Sequence, residues 1–246
     1  MIMETKESSL DWSLLSDGAA QLGITLSERQ ISQFSRYYTH LIKVNEVMNL
    51  TAITSFRDVV IKHFIDSLSL VKAVDPHKIN TLLDLGTGAG FPGVPLKIAF
   101  PHLKVTLADS LQKRLRFLEE VIALCELEDI DTVHGRAEEL ARQECYREKF
   151  DLCVSRAVAN LSTLSEYCLP FVRIGGSFIA YKTDRSEEEQ KAAEKAIHIL
   201  GGKKEKTVDF ILPACDLGRS LVVIKKKTPT PGRYPRKSGT PAKTPL

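Results

Sequence analysis

Residues 82–93 read LLDLGTGAGFPG, and two countings of their glycines lead to different ligands. Counted from Gly88, glycines 88, 90 and 93 spell GxGxxG, the pattern that seats a dinucleotide pyrophosphate against a helix N-terminus. Counted from Gly86, glycines 86, 88 and 90 spell a tighter GxGxG with Asp84 two residues ahead. A strand that feeds a glycine-rich turn and then a helix opens backbone amides to close approach, because glycine has no Cβ and tolerates positive φ. A plain strand-to-helix turn that meets no ligand is the alternative for the loop taken alone.

Charge favours the second counting. A pyrophosphate needs free N–H donors, yet Pro92 and Pro95 remove two, and Asp84 sets a negative charge beside a dianion. S-adenosylmethionine has no phosphate and carries a sulfonium and an ammonium, so a carboxylate near the loop is tolerated or helpful. Asp109 ends the next strand-like run, VTLADS, where an acid accepts ribose hydroxyls in both cofactor classes. It supports a nucleoside without choosing between them, and a carboxylate favoured by a helix macrodipole is the other reading.

Around the loop, short apolar runs alternate with helical patterns. NTLLDLG precedes a helix over 91–100, LKVTLADS precedes one over 111–124, and DIDTVHG precedes a short one over 137–143. FDLCVSRA, a helix over 161–172 and GGSFIAYK follow, then a helix opened by the capping-box pair Ser186 and Glu189 and stopped at Gly201-Gly202. KTVDFILP and RSLVVIKK come in succession with no helix between. This order predicts a Rossmann-like α/β fold: a seven-stranded, mostly parallel sheet closed by an antiparallel C-terminal hairpin. Too few residues remain for a second dinucleotide-binding half and a substrate domain.

Upstream, residues 1–75 read as a helical cap. Ser27 and Gln30 form a capping-box pattern, and Ile31, Phe34, Tyr38, Leu41 and Ile42 recur at helical spacing. A second amphipathic stretch covers 56–74. The expected organisation is a cap at 1–75, a cofactor-binding domain at 76–226 and a tail at 227–246.

Bulk composition, 43% hydrophobic and 26% charged, is that of an ordinary globular chain, and no run approaches the length of a membrane span. Five cysteines at 125, 145, 153, 168 and 215 form no CxxC pair, so a reducing cytoplasm and buried thiols are expected and no metal site is. A monomer is the default. The net charge of +3 hides an asymmetry, since residues 225–246 hold seven Lys/Arg and no acid, and subtracting those seven leaves −4 elsewhere.

Some residues invite a chemical role. Arg156, after the fourth strand, offers a fork of donors for guanine O6, a phosphate or a cofactor carboxylate; an ion pair with a nearby acid is the structural reading. Lys182 ends the fifth strand, on the edge where ligands of open α/β sheets collect, or else is simply solvated. His63, Asp66 and Ser67 have triad-like spacing, but no further ligand completes a zinc site and no oxyanion partner is evident, so a hydrogen-bonded pair shaping the mouth is preferred to direct RNA contact. SRAV replaces the D/N-P-P-Y/F element of amino-group methylases, and no Pro-Cys element provides the nucleophile of pyrimidine carbon-5 methylation.

LLDLGTGAGFPGVPL, ADSLQKRLRFLEE, HGRAEEL, VSRAVANLSTLSEYCLP, NLTAIT and HFIDSL together resemble the glucose-inhibited division protein B family of 16S ribosomal RNA guanine-N7 methyltransferases, and the ending RYPRKSGTPAKTPL resembles its Bacillus-type members. The resemblance runs from about residue 30 to the end of the chain. It implies S-adenosylmethionine as cofactor, with Gly86, Gly88 and Phe91 in the loop that meets it, Ala137 and Glu138 flanking the adenine, and Arg156 at the mouth shared with the substrate. It implies 16S ribosomal RNA or the small ribosomal subunit as partner. One departure is Val44, where many members carry Trp before Asn45.

The tail was the expected RNA arm in this reading: Arg233, Arg236 and Lys237 stand among prolines that keep it extended, suited to a phosphate backbone, with a solvated solubility tail as the alternative. Seven phosphate contacts to a single strand would give a salt slope near −5 at about 0.7 each. Phe34, Tyr37 and Tyr38 are read as core rather than as base-stacking platforms. A nicotinamide oxidoreductase and a non-catalytic RNA-binding assembly factor remain the competing functions.

Overall fold

The computed structural model describes residues 10–156, 159–183 and 187–246. The expected Ser186 cap lies outside them. The described chain forms a seven-stranded sheet in the order β3-β2-β1-β4-β5-β7-β6. The strands are β1 (Thr81–Leu85), β2 (Lys104–Asp109), β3 (Ile130–His134), β4 (Phe150–Ser155), β5 (Val172–Lys182), β6 (Gly202–Ile211) and β7 (Gly218–Lys226). β1 to β5 pair in parallel, and β7 runs antiparallel between β5 and β6, the hairpin closure that two successive strand-like runs predict.

Because alternate side chains of a strand face opposite ways, nearly continuous apolar strands require cover on both faces. On one face Leu82, Leu107, Val154, Ile179 and Val223 pack in one cluster with Phe34, Tyr37 and Phe64 of the cap. On the other, Leu83, Cys153, Phe178 and Ile224 join Leu164 and Ile197. The cap contributes α1 (Ser13–Gln21), α2 (Glu28–Met48), α3 (Phe56–Val59), a π-helical turn (Val60–Ile65) and α4 (Asp66–Leu68), with a 3₁₀ turn (Ser69–Lys72) after it. Ser27 and Gln30 make both bonds of the expected capping box at the start of α2.

The helices that follow the strands are α5 (Gly93–Ala99), α6 (Gln112–Leu124), α7 (Ala137–Leu140), α8 (Leu161–Cys168), α9 (Glu187–Ile199) and, in the tail, α10 (Thr240–Lys243). Cys125, Cys153 and Cys168 are buried and Cys145 is exposed, all as free thiols.

Two expectations need correction. The buried tyrosine of α2 is Tyr37, fully enclosed, whereas Tyr38 is half-buried against Trp12 and Phe56. The tail, moreover, is no free arm. Lys226 is buried, donating to Leu169 O at 2.8 Å and pairing with Glu148 at 3.0 Å. Arg147 donates to the carbonyls of Thr230 and Tyr234, and Arg142 to that of Pro235. Arg236, expected on RNA, forks onto the buried Glu166. The reason is electrostatic: a carboxylate removed from water needs a bound cation, and the tail supplies it.

Candidate functional site

The glycine loop uses all four of its glycines. Gly86, Gly88 and Gly90 all adopt positive φ, at 73°, 61° and 100°, whereas Gly93 does not and instead starts α5. At Gly90 even the space is closed, because a Cβ would lie 2.8 Å from Leu118, Val94 and the Tyr37 hydroxyl. Gly93 is required by space instead, since a Cβ there would lie 2.4 Å from Leu107 and 2.8 Å from Asp84 Oδ2, so the positive φ of Gly86 is what the GxGxG counting adds.

Asp84 and Asp109 hold this loop from two sides. Asp84 is fully buried; its Oδ2 accepts from Thr87 Oγ1 at 2.7 Å and from the Gly93 amide at 2.8 Å, while Oδ1 has no partner among the described residues. Burial raises its carboxyl to a pKa of about 6, against the pull of those two donors. Asp109 accepts from Gly88 N at 3.0 Å, Leu111 N at 2.9 Å and Arg114 at 3.2 Å. From the cap, the Tyr37 hydroxyl donates to Ala89 O.

A crevice of about 300 Å³ opens beyond the ends of β1, β2 and β4, lined by Gly86, Asp109, Ala137, Glu138, Ser155 and Tyr167 among others. Four residues expected at a cofactor thus meet in one place. Asp84, Gly88, Phe91 and Arg156, also expected there, do not line it. The Phe91 ring turns away into the cap, stacked on His63 at 4.4 Å and on Tyr37 at 5.5 Å, since an aromatic ring gains more from that apolar cluster than from a polar loop.

A second cavity, about 620 Å³, lies across β4 and takes in Lys62, His63, Arg156, Tyr181, Lys182 and Arg219. Here Arg156 shows its structural reading, an ion pair with a nearby acid. It sits at a mouth, and its donors are engaged: with Lys62 O and Asp66 Oδ2 at 3.0 Å each, and with His63 Nδ1 at 3.1 Å. Its guanidinium also stands 5.1 Å from the centre of the Phe91 ring. His63 and Asp66 form the expected structural unit, bridged by this arginine rather than bonded to each other. Burial, then the Arg156 charge, holds His63 neutral with a pKa of about 3. Its Nε2 faces Thr51 Oγ1 at 2.9 Å.

Lys182 is not simply solvated: it donates to Ala159 O and pairs with Glu189, both at 2.8 Å. Arg219 was missed by sequence reasoning. It binds the other oxygen of Asp66 at 2.9 Å from 153 positions away, a separation that leaves no local signal. Arg114, Arg136 and Tyr167 on the crevice were likewise missed. Arg233 and Lys237 remain exposed on the tail, Arg233 over the Tyr234 ring.

Among the described residues no group of three or more His, Cys, Asp or Glu is placed to hold a metal ion, and no helix is long and apolar enough to cross a membrane. A solved O-methyltransferase from Bacillus cereus in complex with SAH superimposes with a TM-score of 0.56 at 17% identity, covering 87% of this chain and 98% of that one, which shows the shared fold. Ribosomal RNA small subunit methyltransferase G of Lachnoclostridium phytofermentans is 53% identical over 236 residues, 96% of this chain and 98% of its own length. Its namesake in Acetivibrio thermocellus is 51% identical over 244 residues, 99% of this chain and 100% of its own. Residues 30–216 match the family model described as GidB, rRNA small subunit methyltransferase G, and with the fold and glycine loop in agreement the chain belongs to that family of methyltransferases.

Proposed function

We propose that the chain methylates N7 of a guanine in 16S ribosomal RNA, using S-adenosylmethionine held in the crevice of Gly86, Asp109, Ala137 and Glu138, with the target base entering the cavity of Arg156 and Lys182. The observation that carries this reading is adjacency: Ser155 and Arg156, consecutive at the end of β4, line one cavity each.

The crevice residues fit such a cofactor. Asp109 offers carboxylate oxygens at its rim, Ala137 and Leu164 offer apolar surface, and the unpartnered Oδ1 of Asp84 beneath the loop suits a cationic ligand better than a phosphate. Bound there, S-adenosylmethionine supplies a methyl carbon activated by its sulfonium.

The second cavity supports an attack that needs no proton removed. N7 of guanine already carries a free lone pair at neutral pH, so a general base has nothing to do. The groups facing the cavity are correspondingly engaged: His63 is neutral with both nitrogens bonded, and Asp66 holds two arginines. Alignment is what these residues contribute. Arg156 fixes the cap to the end of β4, and Lys182 and Lys62 set positive charge where an RNA phosphate approaches. Orientation of this kind is worth up to about 7–11 kcal/mol of barrier when geometry is ideal.

Mapping the labelled nucleotide after incubating the protein with small ribosomal subunits and radiolabelled S-adenosylmethionine tests the proposal. Label at a guanine N7 of 16S RNA is expected; label on an exocyclic amine or a pyrimidine, or heat on titration with NAD and none with S-adenosylhomocysteine, would refute it.

A further inference from the structure

The segment that was expected to reach for RNA lies across α7 and α8 as a strap. On α7, Gly239 N–H donates to Glu138 Oε1 at 2.8 Å and Ser238 Oγ to Glu139 Oε1 at 3.2 Å. On α8, Glu166 accepts the Arg236 amide at 2.7 Å and its guanidinium at 2.9 and 2.6 Å, and Thr163 Oγ1 donates to Pro241 O at 2.9 Å. These two helices are also one wall of the crevice, to which α7 gives Ala137 and Glu138 and α8 gives Leu164, Tyr167 and Cys168.

α8 is packed on the sheet, but α7 does not hold its part of that wall by itself. α7 has four residues, far below the length at which a helix keeps its own shape. Glu138 is buried in the wall, so its carboxylate direction is set by what bonds it, and the Gly239 amide comes from 101 positions away. That amide reaches Glu138 only because Gly239 adopts φ +81°, a left-handed turn that side chains resist. Glu166 has no exposed surface and is neutralised by Arg236, whose own pKa is raised by that hydrogen bond. The strap is therefore bonded to both helices by groups that are costly to release.

We propose that Arg236 and Gly239 are positioning residues for the cofactor: they set the spacing of α7 and α8, and with it the fit of the crevice to the adenosine half of S-adenosylmethionine. The inference rests on the cofactor assignment above. Arg236 thus acts on methyl transfer through the crevice, not by touching RNA.

Calorimetry on the full chain and on Arg236→Ala and Gly239→Pro, with S-adenosylhomocysteine and with methylthioadenosine, tests this. Each variant is first checked for native circular dichroism, and KM for small subunits is measured at saturating cofactor. Gly239→Pro removes both the N–H donor to Glu138 and the left-handed turn that presents it, since proline is fixed at negative φ, and Arg236→Lys serves in place of Arg236→Ala if the latter does not fold. Both ligands should weaken by a common factor of about tenfold, the scale of losing a hydrogen bond to a charged group, with KM for subunits within about twofold. Variants that melt earlier yet bind both ligands like the parent would make the strap merely structural and overturn the proposal. So would a rise in KM with unchanged ligand affinity, which would return the tail to RNA. Failure of the unmodified chain to bind either ligand would instead remove the cofactor assignment itself.

Discussion

Tyr37, in the middle of α2, donates its phenolic hydrogen to the carbonyl of Ala89, between two glycines of the loop. The ring is buried between Phe64 and Phe91, and burial raises its pKa well above the ordinary value, so the hydroxyl keeps its proton. The cap is thus tied to the glycine loop by a bond that no solvent can replace.

Replacing Tyr37 by Phe preserves the ring and orphans the Ala89 carbonyl. The expected loss is about 1–3 kcal/mol of stability, the cost of leaving a buried acceptor unmet. For a chain of this length that corresponds to a fall in Tm of roughly 2–10 °C. Thermal unfolding measures it, and S-adenosylhomocysteine affinity should fall in parallel as the loop loosens; an unchanged Tm and affinity would show that the bond contributes nothing.

His63 and Asp84 make opposite contributions to stability against pH. His63 is held at about 3 against an ordinary 6.5, so the unfolded chain takes a proton that the native one refuses, and stability is lost as pH falls from 6.5 towards 3. Asp84 is raised to about 6 from 3.8, so its contribution is fully present below 3.8 and is lost as pH rises through 6. Each slope is about 1.4 kcal/mol per unit, and they oppose one another between about pH 4 and 6. His63→Gln removes one of them. Urea unfolding of variant and parent across this range should show their difference moving in the variant's favour by about 1.4 kcal/mol per unit as pH drops; a constant difference would mean that His63 titrates normally in the fold.

Lys182→Met separates the two cavities. Lys182 lines the cavity assigned to the RNA and is absent from the crevice. KM for small subunits should rise about tenfold or more, the scale of a lost charge-assisted bond, while S-adenosylhomocysteine affinity stays within about twofold. Equal losses in both would show that the cavities are not independent.

Salt dependence limits what the tail can add to RNA binding. With Lys226 buried and Arg236 on Glu166, five of the seven cations in 225–246 remain available, capping their share of the slope near −3.5 at about 0.7 each. Replacing the exposed Arg233 and Lys237 together by Ala should lower the measured slope by about 1.4. An unaltered slope in a titration of 16S RNA across a salt series would place both away from the phosphates.

Strand order, hairpin closure and the glycine turn were legible because they follow from local signals: apolar alternation, turn residues and the proline positions within one loop. That Gly86, Asp109, Ala137 and Glu138 share one crevice was legible from the loop motif together with the family resemblance. What escaped is what depends on distant partners. The choice between Tyr37 and Tyr38 turns on which of two adjacent helix positions meets the loop, and helical spacing blurs neighbours. Arg219 with Asp66, and Arg236 with Glu166, join residues 153 and 70 positions apart, so a basic segment that reads as solvated is in fact an internal counter-ion.

At the end of β4, the chain sends one side chain to each cavity in successive steps. The last residue of the strand and the first one past it therefore face different cavities, and the peptide joining Ser155 to Arg156 is itself the partition between them. Spacing, more than the identity of either residue, is what this junction holds: a one-residue deletion in β4 would change which side chains meet both cavities, whereas a substitution at either position would alter one cavity alone.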